Sequence, residues 1–350
     1  MTLRRSAVAL SSAAAALTLL TGTAATSASA AATSPAAPAG STLSVFAWNV
    51  DLGTSVVDWS QNEKASTRTP VVESIIRQHS ADVVVLDELF NDSSISDINS
   101  KLADLYPYRT PVVGGTCSGG GWNGTSGNCS SSPFVINGGT MILSKYPITA
   151  QYQHVFSNST YGTWDYHSDK GAALVQVDKG GVKTWVAGTH LQADESDTST
   201  DTTQATRLAQ LGEIKSWVNG IVGTSAPVLF GGDLNVEYYH GQARGDYANA
   251  QNAVNGVLGS PALDPNQTVT TMDCTVSAWC QYMSGIETFP VDYRDDLDYL
   301  GYLNEAGRPT PVALPNVVID LDPQAGWSAG QLDTNSPSDH YPVEATFQLG

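Results

Sequence analysis

At six places along the chain, an apolar run stops and a chemically competent residue follows. Asn49 follows VFAW, Glu88 follows VVVLD, and His190 follows WVAGT. Asp233 and Asn235 stand in VLFGGDLNV, Asp298 in LDYL, and the pair Asp339-His340 immediately precedes YPVEATF. Taken singly, an Asn or Asp at such a position is ordinarily a turn or cap residue, and a single His is ordinarily a hydrogen-bonded structural one. Together they are harder to dismiss, because the ends of strands from one sheet can converge on one pocket.

The residue types agree on a chemistry. Glu88, Asp339 and the amide of Asn49 offer hard oxygen ligands of the kind that suit Mg²⁺ or Mn²⁺. No His-x-x-x-His pair calls for zinc. Mg²⁺ polarises a phosphoryl oxygen and orients water but acidifies that water less than zinc does, so a general base is useful. Histidine titrates nearest neutral pH. Two histidines, His190 and His340, allow one to take a proton from water and the other to assist the leaving group. Asp298 is placed to fix a histidine tautomer. Together these residues describe metal-assisted hydrolysis of a phosphate ester.

The elements that must hold these residues follow from periodicity. STLSVFAWNV reads as a strand, RTPVVESIIRQHS as a helix with Val71, Val72, Ile75 and Ile76 on one face, and ADVVVLDELF as a buried strand. A Gly/Ser/Asn-rich loop spans 114–132, after which GGTMILSKYPI, GAALVQVD and KTWVAGTHL read as successive strands. The stretch TRLAQLGEIKSWVNGI reads as a helix and is followed by strands PVLFGGDLNV and LDYLGYL. The closing strand is expected from Tyr341 onward, with Tyr341, Val343, Ala345 and Phe347 on one face. Strands with interleaved helices imply two packed sheets with helices outside.

Composition narrows the class. Residues 1–30 carry Arg4-Arg5, an apolar run and Ala28-Ser29-Ala30, the pattern of a secretory signal peptide, and residues 31–42 read as a Pro/Ala linker. Residues 43–350 are then a single domain, exported. The four Cys fall into two close pairs, Cys117 with Cys129 and Cys274 with Cys280. In an exported chain these read as local disulfides, while zinc lacks the CxxC spacing it favours. The 34 acidic residues against 16 basic ones give a formal net charge of −18, and no basic stripe interrupts it. Such a surface repels polyanions and argues against nucleic acid as a partner.

The ordered set WN, LDE, GTHLQAD, GGDLNV, LDY and SDHYPVEA resembles the endonuclease/exonuclease/phosphatase superfamily. Within it, GNCSSS, SKYPI, GTHLQAD and SDHYPVEATF most resemble secreted bacterial neutral sphingomyelinases C, from about Ser44 to Phe347. The resemblance implies a four-layer α/β/β/α sandwich and a Mg²⁺-dependent phosphodiesterase, with Mn²⁺ or Co²⁺ as possible substitutes. The implied substrate is sphingomyelin, or choline phospholipid more broadly, met by a monomer making peripheral membrane contact. It assigns Glu88 as main metal ligand with Asn49 and Asp339 beside it, and His340 as base, oriented by Asp298. It gives His190 the phosphoryl and leaving group, with Asp233 and Asn235 as positioners. Asp169 and Lys170 in YHSDKG become candidate substrate contacts.

Two departures stand out. Phe90 and Asp92 match one half of the family's second, edge metal site, but Ile136-Asn137 stands where its acids belong. The aromatic hairpin of haemolytic members is reduced to a short polar stretch with Trp327, leaving Trp122, Trp164 and Trp279 as candidate interfacial contacts. The readings left open beside sphingomyelin hydrolysis are a phospholipase C acting on phosphatidylcholine, a nuclease of the same superfamily, and a binding module without turnover.

Overall fold

The computed structural model describes residues 42–53, 65–195, 198–224, 226–259, 269–275, 277, 280, 290, 292–303, 317–318 and 337–349. They belong to one compact unit, Ala36–Gly350. The expected signal peptide, Trp279 and Trp327 lie outside the described residues.

In chain order the elements begin β1 (Thr42–Leu52), α1 (Ala65–His79), β2 (Val83–Leu89), α2 (Asp92–Lys101), β3 (Tyr108–Arg109) and β4 (Gly124–Gly127). Next come β5 (Ile136–Asn137), β6 (Met141–Ser144), β7 (Ile148–Val155), β8 (Ser168–Asp169), β9 (Gly171–Lys179) and β10 (Val182–Thr189). The remainder are α3 (Thr200–Val222), β11 (Val228–Asp233), α4 (Asp246–Val254), β12 (Val257–Leu258), β13 (Met272–Asp273), β14 (Arg294–Asp295), β15 (Asp298–Leu303), β16 (Val317–Val318) and β17 (Val343–Gln348). One sheet runs β16-β17-β1-β2-β6-β3 and the other β12-β15-β11-β10-β9-β7-β4.

Alternation along the strands builds four layers. Val45, Ala47, Val83, Val85, Val343 and Ala345 of the first sheet meet Ala173, Val175, Val186, Leu229 and Leu300 of the second in one core. The intervening residues Phe46, Trp48, Val84 and Leu86 pack against Val72, Ile75 and Ile76 of α1 and Ile98 of α2. On the far side Leu174, Ala187 and Phe230 pack against Leu211, Ile214 and Val218 of α3 and Ala250 of α4. Both faces of the central strands are dry, which is why their sequences read as continuous apolar runs rather than alternating ones. Gly188 stands where the sheets approach closely, since a Cβ there would lie 2.7 Å from Val85. The expected α/β/β/α sandwich is therefore the observed one.

Two helices went unread in the sequence, and one strand starts late. In α2 only Ser94 and Ile98 are buried, too narrow a stripe to show as periodicity. Its start was nevertheless written locally: the Asn91 side chain accepts from the Ser93 and Ser94 amides at 3.0 and 3.1 Å. α4 likewise buries little, with Ala250 and Val254 one turn apart. β17 begins at Val343, not Tyr341. Pro342 has no N–H to give the ladder, the Tyr341 amide bonds Thr271 O at 2.6 Å instead, and the Tyr341 ring joins the helix-side core. The expected alternation holds for Val343, Ala345 and Phe347 only.

Candidate active site

The strand directions explain why distant residues meet. β1 runs parallel to β2, and β10 parallel to β11, so Asn49, Glu88, His190 and Asp233 all leave the carboxyl ends of strands. β17 and β15 run antiparallel to these neighbours, so their beginnings lie at the same edge. Asp298 pairs directly with Asp233 across β15 and β11, and His340 precedes β17 by three residues. Carboxyl ends of parallel strands and amino ends of antiparallel ones thus share one rim, at the floor of a cleft of about 1650 Å³.

Local backbone turns the side chains inward. Asp51, Glu88 and Asn235 hold φ of 45°, 55° and 51°, a region non-glycine residues seldom occupy and which concentrates at functional sites. The β1–β2 register shifts between Asn49 and Leu52, re-aiming the chain as a bulge does. Gly232 (φ 129°) lets the Asp233 amide reach Asp87 Oδ2 at 3.0 Å, where a Cβ on residue 232 would sit 2.7 Å from that same oxygen. Asp87 also accepts from Thr140 Oγ1 at 2.7 Å, so this buried carboxyl fastens the two sheets beneath the site.

At the centre, Asn49 Nδ2 donates to Glu88 Oε1 and Asp233 Oδ2, both at 2.9 Å. Ser338 Oγ donates to Asn49 O at 2.7 Å and accepts from the His340 amide at 3.1 Å, and Trp48 Nε1 donates to His340 O at 2.9 Å. These bonds hold the Asp339-His340 corner against β1. His340 Nδ1 lies 2.8 Å from Asp298 Oδ2, and its Nε2 faces the cleft 3.9 Å from Asp233 Oδ2. His190 Nε2 lies 3.5 Å from Asp233 Oδ2, 3.8 Å from Glu88 Oε1 and 3.1 Å from Lys170 Nζ. Lys170 in turn pairs with Asp165 at 2.6 Å and donates to Leu191 O at 3.2 Å. Asn235 donates its amide N–H to Asp233 Oδ1 at 2.9 Å and its side chain to Leu191 O at 3.2 Å.

The electrostatics are those of carboxylates gathered without enough positive charge. Burial, then the negative charges of Asp51 and Asp339, push the Glu88 carboxyl up to about 8, although 29% of its side chain meets the cleft. Burial and Asp298 push Asp233 up to about 6. The histidines are driven apart. Burial, then Lys170 and His340, pushes His190 well below its ordinary range. Burial opposes charge on His340 as well, but Asp298 and Asp233 overcome it and raise that imidazole well above its usual value. A divalent cation held by oxygens fits this donor set: the Glu88 and Asp339 carboxylates, with Asp51 paired to Arg68 and Asn49 bonded to both Glu88 and the Asp51 amide, could hold it, and the carboxylate repulsion is the charge it would offset.

Compared with known proteins, the sequence matches the Endonuclease/Exonuclease/phosphatase family over residues 46–340. The chain belongs to that family. It is 33% identical to Sphingomyelinase C of Listeria ivanovii over 269 residues, 75% of this chain and 74% of the relative. Its fold superposes on the crystal structure of Sphingomyelinase C from Streptomyces griseocarneus with a TM-score of 0.73 at 27% identity, covering 88% of this chain and 99% of the other. A Staphylococcus aureus beta toxin mutant crystallised with bound magnesium ions gives the same TM-score and identity over 87% of this chain and 99% of its own.

Within this endonuclease/exonuclease/phosphatase scaffold, the structure brings Asn49, Glu88, His190, Asp233, Asn235, Asp298, Asp339 and His340 to one cleft, and Lys170 with them. Asp169 is the exception. Successive strand residues point to opposite faces, so as Lys170 enters the cleft the Asp169 carboxylate turns away, accepting from the Ser130 amide at 2.9 Å beside Cys129 Sγ at 3.6 Å. It braces the disulfide loop instead of facing substrate. Phe90 and Asp92 line the cleft, but the Phe90 carbonyl accepts from Asn137 Nδ2 at 3.2 Å, an amide donor where the edge site calls for acids. Both expected disulfides are formed, Cys117–Cys129 and Cys274–Cys280. Trp122 is 7% exposed and belongs to the inter-sheet core, which removes it as an interfacial contact. Three further acids at the site carried weaker signals: Asp87 directly precedes Glu88, Asp51 lies two residues after Asn49, and Asp165 lies just before YHSDKG.

Proposed function

We propose that the chain is a secreted, Mg²⁺-dependent sphingomyelin phosphodiesterase that releases ceramide and phosphocholine. The observation that carries this reading is the convergence of hard oxygen ligands and two oppositely tuned histidines on one cleft; the names of the relatives support the choice of lipid. Glu88, with Asn49 and Asp339, would hold Mg²⁺, which would polarise a phosphoryl oxygen and offset part of the carboxylate charge that raises the His340 pKa. His340, its Nδ1–H held by Asp298, takes a proton through Nε2 from the water that attacks phosphorus, and Asp298 steadies the imidazolium so formed. Asp233 and Asn235 orient that water and the phosphate. The P–O bond to ceramide breaks, and His190 gives its proton to the departing oxygen. Burial, Lys170 and His340 lower its pKa, so it must gain its proton as the phosphate anion arrives, and the imidazolium so formed is a strong acid toward the leaving oxygen.

The acidic mouth, with Asp194, Glu195 and Glu237 among its lining, opposes a nucleic-acid substrate. Formed disulfides fit an oxidising compartment, in keeping with a leader over 1–30, a linker over 31–42 and one catalytic domain over 43–350 acting as a monomer. The experiment is phosphocholine release from sphingomyelin and from phosphatidylcholine with Mg²⁺, Mn²⁺ or Co²⁺, alongside nicking of plasmid DNA. Release from sphingomyelin, abolished by chelation, is expected. DNA nicking without phosphocholine release would sink the reading.

A further inference from the structure

Large apolar side chains at 37% to 85% exposure are few among the described residues, and most of them gather at one place. Phe134 is 85% exposed, Tyr161 83%, Trp164 58%, Tyr166 46% and Ile136 37%. Phe134, Ile136 and Trp164 stand at the mouth of the catalytic cleft, and Tyr161 packs edge-on against Tyr166 with ring centroids 5.2 Å apart. A patch of this kind at the edge of a functional cleft marks an interaction surface rather than ordinary surface scatter.

Its two loops are built to stay in place. Parallel pairing of β5 with β8 sets Ile136 against Ser168 and Asn137 against Asp169, tying the loop that carries Phe134 to the one that carries Tyr161, Trp164 and Tyr166. The Asp169 carboxylate and the Cys117–Cys129 bridge anchor the base of the first loop. The Glu195 carboxylate accepts from the Trp164 amide at 2.8 and 2.9 Å, anchoring the second. Loops held in advance lose little freedom when they bind.

We infer that this aromatic rim is the membrane-docking surface of the protein and that its partner is a zwitterionic, choline-headed lipid surface. Three observations select that occupant. The rim is continuous with the cleft where the scissile phosphate must arrive. Tyr and Trp, apolar bodies with a polar tip, are the side chains that settle at the level of lipid headgroups. The formal charge of −18, with Asp165 and Glu195 beside the rim, repels an anionic bilayer and tolerates one whose outermost group is a quaternary ammonium. The choice of lipid rests on the phosphodiesterase reading; the location of the docking surface does not.

The test uses the full chain with Mg²⁺ chelated so that vesicles stay intact. Sedimentation with phosphatidylcholine–sphingomyelin vesicles is compared for wild type, Phe134→Ala/Tyr161→Ala and Phe134→Leu/Tyr161→Phe, with phosphatidylglycerol vesicles as the charge control. Expected are a loss of about tenfold or more in vesicle affinity for the alanine pair, from the apolar area removed, and near-retention for the conservative pair. Phosphatidylglycerol should bind the wild type more weakly than the zwitterionic vesicles. With Mg²⁺ restored, all three proteins should hydrolyse the water-soluble diester p-nitrophenylphosphorylcholine at similar rates. Wild-type vesicle binding by the alanine pair overturns the inference, as does equal loss of soluble hydrolysis, failure of the wild type to bind, or a dimer in light scattering that the alanine pair splits. Vesicle binding lost through the rim variants in a protein that never releases phosphocholine would leave the docking surface standing and remove the phosphodiesterase reading.

Discussion

Two histidine–carboxylate pairs in this molecule are nearly identical in dimension and opposite in use. His154 lies 2.9 Å from Glu213, and His340 lies 2.8 Å from Asp298. The first pair is saturated. Glu213 also accepts from the Ser157 amide and from the Asn158 amide and side chain, His154 Nδ1 meets Ser126 Oγ at 2.9 Å, and the imidazole stacks on Trp217. Burial works against the Glu213 charge, but His154 and these donors overcome it and hold the carboxyl down to about 2. The second pair is left unfinished: Asp298 Oδ1 has no hydrogen-bond partner among the described residues, and His340 Nε2 faces a cleft crowded with other carboxylates. A histidine beside an acid is thus no sign of chemistry in itself. What marks the site is charge that the fold gathers and does not satisfy.

The largest effect that could break this contrast is kinetic. His340→Ala is expected to lower kcat by roughly 10²–10⁴ and His190→Ala by a similar factor, the range for a lost acid or base. His154→Ala should change kcat little. Because Asp298 acts through His340, adding Asp298→Asn to His340→Ala should cost almost nothing further in kcat. Near wild-type turnover in His340→Ala, or full additivity in the double variant, would dissolve the distinction between the pairs.

Next in size is the metal requirement. Glu88→Ala should raise the Mg²⁺ concentration for half-maximal activity by tenfold or more, since even outer-shell changes typically cost about 10–100-fold. Glu213→Gln should leave it unchanged. An unaltered Mg²⁺ titration in Glu88→Ala removes Glu88 as the ligand.

A pH experiment sharpens the same point. Proton and cation compete for carboxylates raised to about 8 and about 6 at Glu88 and Asp233. Mg²⁺ affinity should therefore weaken as pH falls through these values, and binding near pH 7 should release protons. Calorimetry in two buffers of different ionisation heat reads that release; identical apparent heats would contradict it.

The smallest effect is on stability. Glu213 is depressed from its unfolded value, so its contribution is complete above the ordinary carboxylate range and is lost as pH falls toward about 2. Glu213→Gln should cost on the order of 2 kcal/mol near neutrality, read by denaturant unfolding, with the gap from wild type closing in acid. A gap that persists at pH 2 would point to packing rather than charge.

The sequence by itself settled most of the scaffold and the identities of the reacting groups. Continuous apolar runs such as VVVLD and VLFGG, short and rich in branched residues, read as strands dry on both faces, and competent residues at their ends were legible because a strand end is where the backbone leaves the core. It singled out His340 at a strand end and passed over His154 within β7, but it could not show that each would face a carboxylate, because those partners lie 42 and 59 residues away. Nor could it say that Asp169 would brace a disulfide while Lys170 entered the cleft, or that Trp122 would be core and Trp164 rim. Those choices turn on strand direction, register and which face a residue takes. They are fixed only when two sheets close on each other and settle which carboxylates find donors and which are left facing one another.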